Sequence, residues 1–273
     1  VEAQPTAQPT PPPVAAPART EVISEGQEPR TELRYTPVSG SSEAFQLTLR
    51  TRNSIKMGEV DRQSGPSADV RYECTLAVQN IEPNGDIVFS IVVDKTEVIQ
   101  DPLLKPADRD NLAKLNLAMQ GCIVNVRVDS RGNTLSSEVI KEPAPFAAVT
   151  FEYVRLALAH LVSPLPEKPV GAGASWKVTK TPKLNGVNTN QDETFTFATT
   201  DAGAQKLSLE LTRNAEAQDV HNPNSRPGAS TRVTRYVTAG VGEATRSFGK
   251  LTPTASSFVI ETEVAFTVSQ TPM

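Results

Sequence analysis

Strict alternation of apolar and polar residues runs through most of this chain, and a period of two commits a chain to half-buried strands. In Phe45-Gln46-Leu47-Thr48-Leu49-Arg50 the apolar residues take every second place. Val70, Tyr72, Cys74, Leu76 and Val78 share one face, with Asp69, Arg71, Glu73, Thr75 and Gln79 on the other. Pro83-Asn84-Gly85-Asp86 then leads into Ile87, Phe89, Ile91 and Val93, and Asn-Gly between two alternating runs is a strong hairpin signal. Cys122, Val124, Val126 and Val128 form another face, and Asp129-Ser130-Arg131-Gly132-Asn133 turns the chain into a short strand around Leu135.

The second half is written the same way. Trp176 with Val178, Phe195 with Phe197, Leu207 with Leu209 and Leu211, and Val233 to Val237 mark successive strands. The last is the clearest: Phe258, Ile260, Val264, Phe266 and Val268 face one way, with Glu261, Glu263 and Thr267 opposite. Two helices interrupt the strands. One is expected over residues 107–119, after Pro106, with Asp108 and Asp110 at its positive end and Leu112, Leu115 and Met119 as an apolar stripe. The other, from about Phe146 to Leu161 between Pro143/Pro145 and Pro164/Pro166, is apolar nearly all round and is therefore expected to be buried. The fold class that follows is α+β and mostly antiparallel β. About twelve strands in two halves form curved sheets packed on one buried apolar helix, with a shorter helix beside it.

Residues 1–20 differ in kind. They carry Pro5, Pro9, Pro11, Pro12, Pro13 and Pro17 among Ala, Gln and Thr, without an aromatic residue. Such a segment buries too little apolar area to offset its ordering entropy and favours polyproline II. It reads as a disordered tether, and the PxxP match at Pro9–Pro12 is what any proline-rich spacer contains. The body divides at Pro164–Gly173 into residues 21–163 and 164–273, either as two related β units or as one continuous domain over 31–273. The chain opens on Val1 and its first Met is Met57, which is read as a processed start. Export to the periplasm or cell envelope is the expectation, with a lipid anchor upstream of Val1 as a possibility the spacer would suit.

Composition narrows the function classes. The net charge of −4 comes from interspersed charges (31 acidic, 27 basic), with no basic stripe of the kind nucleic acid selects. No run of 18 apolar residues exists to span a membrane. Of the two histidines, His160 falls near the end of the apolar helix, and His221 lies in a polar loop with Asp219. Two ligands do not make a metal site. There is no Gly-x-Ser-x-Gly elbow, and Gly171-Ala172-Gly173 and Gly240-Val241-Gly242 lack the phosphate-loop and dinucleotide patterns. Glu261 and Glu263 alternate with apolar residues as a solvated strand face does. No catalytic residue, metal or cofactor is expected. Cys74 and Cys122 both point to apolar faces, so neighbouring strands would allow a disulfide. Closing a loop of about 49 residues would contribute about 4 kcal/mol. Two buried free thiols are the alternative.

Leu33-Arg34-Tyr35, Val126-Arg127-Val128-Asp129-Ser130-Arg131-Gly132 and Leu165-Pro166-Glu167-Lys168-Pro169-Val170-Gly171 leading into Ser175-Trp176-Lys177-Val178 resemble a class of exported bacterial proteins, common in planctomycetes, that has no assigned activity. The layout of a curved sheet cradling an apolar helix also looks like the LolA/LolB lipoprotein carriers. The surplus of apolar sheet face, with a helix apolar on more than one side, leads to the expectation of an exported, non-catalytic binding or carrier module for a lipid or other apolar small molecule. Phe146, Phe151, Trp176, Phe195, Phe197, Phe258 and Phe266 are the candidates to line its cavity, and all are equally good as ordinary core. The alternative is a structural or protein-interaction module of the cell envelope, with an envelope protein as partner and no cavity.

Overall fold

The computed structural model describes residues 18–51, 53–57, 60–64, 68–99, 104–184, 186–199, 204–220 and 229–270. The proline-rich residues 1–17, with Pro9–Pro12, and His221 lie outside them. The elements are, in order, β1 (Arg19–Ser24), β2 (Ser42–Arg50), β3 (Asn53–Met57), β4 (Val60–Ser64), β5 (Asp69–Ile81), β6 (Ile87–Val98), α1 (Pro106–Leu117), β7 (Ile123–Val128) and β8 (Thr134–Lys141). A 3-10 turn at Pro145–Ala147 enters α2 (Ala148–Leu158). The strands β9 (Ser175–Lys180), β10 (Lys183–Leu184), β11 (Val187–Asn188), β12 (Asn190–Thr199), β13 (Gln205–Ala215), β14 (Gln218–Val220), β15 (Ala229–Arg246) and β16 (Ala255–Gln270) follow.

The fold is mostly antiparallel β, as the alternation predicts. A five-stranded sheet runs β2-β5-β6-β7-β8, and a seven-stranded sheet runs β1-β9-β12-β13-β15-β14 with β16 on β15. Gly85 of the Asn-Gly turn between β5 and β6 has φ +87, the left-handed region that a side chain would resist. The two large sheets and α2 share one cluster of buried apolar side chains, from Tyr72, Leu76 and Phe89 to Phe151, Trp176, Phe197 and Leu207.

Residues 21–163 and 164–273 both contribute to that shared core. The structure places β1 against β9 of the second half, Arg19↔Thr179 to Val22↔Trp176, so the tether boundary falls before Arg19 rather than after residue 20. The Pro164–Gly173 stretch, where the halves meet, is built into the core: Leu165 and Val170 are fully buried, and Thr31 bridges Val170. Glu43 of β2 accepts hydrogen bonds from the backbone N–H of Leu251 and of Thr252, at 3.1 and 2.9 Å. The five-stranded sheet is drawn from residues 42–141 and the seven-stranded sheet from residues 175–270 plus β1, so each sequence half supplies one sheet and β1 crosses over.

The second helix also differs from expectation. It buries Phe151, Val154 and Leu158, spaced i, i+3, i+7, and leaves Val149 71% exposed. One stripe meets the core and the rest of the apolar surface faces outward. After α2, the chain is pinned by a buried polar knot. The Tyr35 hydroxyl donates to Ser163 O (3.0 Å) and accepts from Ser163 N–H (3.1 Å) and from Arg246. Arg246 also donates to Leu161 O at 3.0 Å. Burial pushes the Tyr35 phenol above its usual range, with Arg246 pulling the other way.

Candidate functional site

Four of the seven aromatic residues expected to line a cavity are core. Phe151, Phe195 and Phe197 are buried, and Trp176 is fully so, stacked on Phe195 (centroids 5.7 Å apart) with its indole N–H donating to Pro164 O at 2.9 Å. Phe258 is half-buried against that core and stacks on His160 at 5.3 Å. The other two are outside: Phe146 is 66% exposed at the mouth of α2, and Phe266 is 56% exposed on β16. The space between the end of α2 and the sheet, lined by His160, Val162, Phe195, Leu209 and Phe258, amounts to about 10 Å³. That is room for at most one water. Residues expected to surround a ligand instead pack on one another.

The thiols are free and buried. Cys74 pairs with Val93 in the β5–β6 ladder, and Val93 N–H donates to Cys122 O on the other side. The two cysteines therefore flank a strand. At roughly 4.8 Å per strand spacing their Cα atoms lie about 10 Å apart, beyond the reach of a disulfide. Shared facing on apolar strand sides was legible in the sequence; the intervening strand was not. Burial pushes the Cys74 thiol up to about 12 and raises that of Cys122, so neither is a ready nucleophile.

A polar network is the feature that alternation concealed. Lys180, Gln191, Glu193 and Arg213 occupy the apolar parity of their strands. Glu193 accepts from Lys180 Nζ at 2.7 Å and from Gln191 Nε2 at 2.6 Å, and Gln191 Oε1 accepts from Arg213 Nε at 2.8 Å. Both Glu193 oxygens are thus matched, as burial of a carboxylate requires. His160 sits over this network, and burial lowers its pKa, with Glu193 opposing and Lys180 and Arg213 reinforcing. Among the described residues, no group of three or more His, Cys, Asp or Glu could hold a metal ion, and no helix is long and apolar enough to cross a membrane.

What remains open is β16. It pairs with β15 along its length, from Thr245↔Ala255 to Ala229↔Gln270, and no described strand lies on its other side. Apart from Phe258, its described side chains are exposed. Ile260 (41%), Val264 (42%), Phe266 and Val268 continue the inner face of the sheet into solvent, while Val259 is exposed on the outer face. Gly240 and Gly242 of β15 lie beneath this strand. A Cβ on Gly242 would come within 2.1 Å of the Phe258 ring, so glycine there lets β16 lay its aromatic ring across β15. A long apolar edge without Pro or Lys is a template for another strand.

The sequence reads the five apolar residues of β16 as one face, correctly. Nothing in it says whether that face is covered. Its length, free of Gly and Pro over Ala255–Gln270, is the one signal of an edge that outruns its sheet. Compared with family models, with curated proteins and with solved structures, the chain matches none.

Proposed function

We propose that this is a non-catalytic protein-interaction module of the cell envelope, which engages its partner by strand addition along β16. The observation that carries the reading is the unpaired edge of Ala255–Gln270, with apolar Ile260, Val264, Phe266 and Val268 exposed beside it. In such pairing, main-chain hydrogen bonds supply affinity and alternate side chains supply specificity. Export is part of the proposal and is supported by the proline-rich composition of residues 1–17, which suits a spacer. The small space of about 10 Å³ at the end of α2 favours this reading over an apolar carrier, which would need α2 to lift its Phe151, Val154 and Leu158 stripe off the core.

The test uses the full chain and a variant carrying Thr262→Lys, Val264→Lys and Phe266→Lys, all on exposed positions. Proteins retained from an envelope extract by the unaltered chain should be lost by the variant, while circular dichroism and melting stay the same. Equal retention by both chains, in a chain that also does not associate with itself, contradicts strand addition at β16. A phospholipid or fatty acid co-purifying with either chain at one per protein would favour the carrier instead.

A further inference from the structure

The charge pattern of the β15–β16 arm identifies an occupant for the edge. We propose that β16 pairs antiparallel with β16 of a second copy of this chain, with Val264 opposite its own counterpart on the two-fold axis. The inference rests on the strand-addition reading and names the partner.

Antiparallel pairing about a two-fold axis keeps the two inner faces on one side of the joined sheet. Centred on Val264, the pairs on that face are Val264 with Val264 of the second copy, Ile260 with Val268, and Thr262 with Phe266. Exposed apolar residues meet each other across the junction, and such cross-strand pairs are the unit of sheet stabilisation. On the outer face Glu263 falls opposite Ala265, and Glu261 opposite Thr267.

Those two positions are the ones that β15 backs with arginine. Ala265 pairs with Arg235, and Thr267 with Arg232, on the strand behind. The short side chains of Ala265 and Thr267 thus stand between an arginine of one copy and a glutamate of the other. Both glutamates of β16 gain a cation in this way, twice over by symmetry. Arg235 already reaches diagonally to Glu263 of its own chain (3.2 Å), toward the junction, whereas Arg232 is held by Asp219 of β14 (3.1 Å) and swings across Thr267 to meet Glu261 of the second copy. The bulge between Val233 and Arg235 is what brings Arg232 and Arg235 to the same side.

Other registers lose this match. Centring on Thr262 sets Glu261 against Glu263 of the second copy, and directly opposed like charges destabilise a sheet. Centring on Phe266 sets Glu263 against Ser269, which is backed by Ser230 rather than by an arginine. Centring on Ala265 backs only one of the two glutamates with arginine.

Sedimentation equilibrium of the full chain, followed over concentration, should give a mass approaching twice 29.3 kDa. Val264→Cys should form a covalent dimer on mild oxidation. Thr262→Cys alone and Phe266→Cys alone should not, but a mixture of the two should form a heterodimer. Glu261→Arg with Glu263→Arg should weaken association at least tenfold, and adding Arg232→Glu with Arg235→Glu should restore it. A chain that stays monomeric at every concentration overturns the self-pairing, as does a dimer cross-linked by Thr262→Cys alone. If the monomeric chain still retains an envelope protein that the triple lysine variant loses, strand addition stands with a different partner. If it retains none, both fail.

Discussion

Cys74 and Cys122 illustrate how far a single residue's face can be read and where its neighbourhood escapes. Each cysteine was assignable to the apolar side of its strand from parity alone. That β6 lies between them is a matter of pairing order, which parity does not encode. Because both thiols are free and buried, with Cys74 raised to about 12, native protein at pH 8 should resist a thiol reagent that labels two cysteines per chain after denaturation. A single labelled product shifted only by prior reduction would instead mean a disulfide. His160 gives a second prediction, in pH. Its folded pKa lies below the ordinary 6.5 chiefly because of burial, with Lys180 and Arg213 adding to that and Glu193 opposing. Between the folded value and about 6.5 the unfolded chain binds the proton and the folded chain does not, so stability falls as pH drops through that window. His160→Gln should remove this part of the slope and leave the melting temperature at pH 8 nearly unchanged. The variant should gain in melting temperature relative to the unaltered chain as pH falls below about 6.5. Parallel profiles for the two chains would contradict it.

At the scale of elements, strands were legible and their environments only partly so. The period-two runs at 69–78, 87–93 and 258–268 became β5, β6 and β16. Lys180, Gln191, Glu193 and Arg213 broke the pattern because each polar group finds a partner across the sheet, which no local sequence rule reports. The apolar residues 146–161 read as a buried helix. In the fold only the Phe151, Val154 and Leu158 stripe meets the core, since the helix lies on it by one side. Gly242 is the element-scale test of how β16 is held. Gly242→Val would drive a side chain into the Phe258 ring, and overpacking of this kind costs roughly 1–3 kcal/mol. Urea unfolding should show a loss of that order, whereas Gly249→Val, in a turn with no neighbour closer than 3.8 Å, should be nearly neutral in packing. Equal effects at both positions would mean that β16 is not seated on β15 as described.

For the whole molecule, one core joins two sheets that the sequence divides at residue 163. Long-range pairings such as β1 with β9, and Tyr35 with Ser163 and Arg246, tie the ends of the chain together. They are invisible in any local window, which is why the sequence shows the strands and the fold class but neither the partner of β1 nor the burial of Leu165 and Val170. Among the described residues, the space at the end of α2 is about 10 Å³ and no strand lies on the far side of β16. Hydrogen exchange of the full chain at low and high concentration tests this most directly. The account predicts that amides of residues 259–269 gain protection as concentration rises, with α2 unaffected. Exchange along β16 that is the same at every concentration, while an added phospholipid protects Phe151 to Leu158, would contradict it.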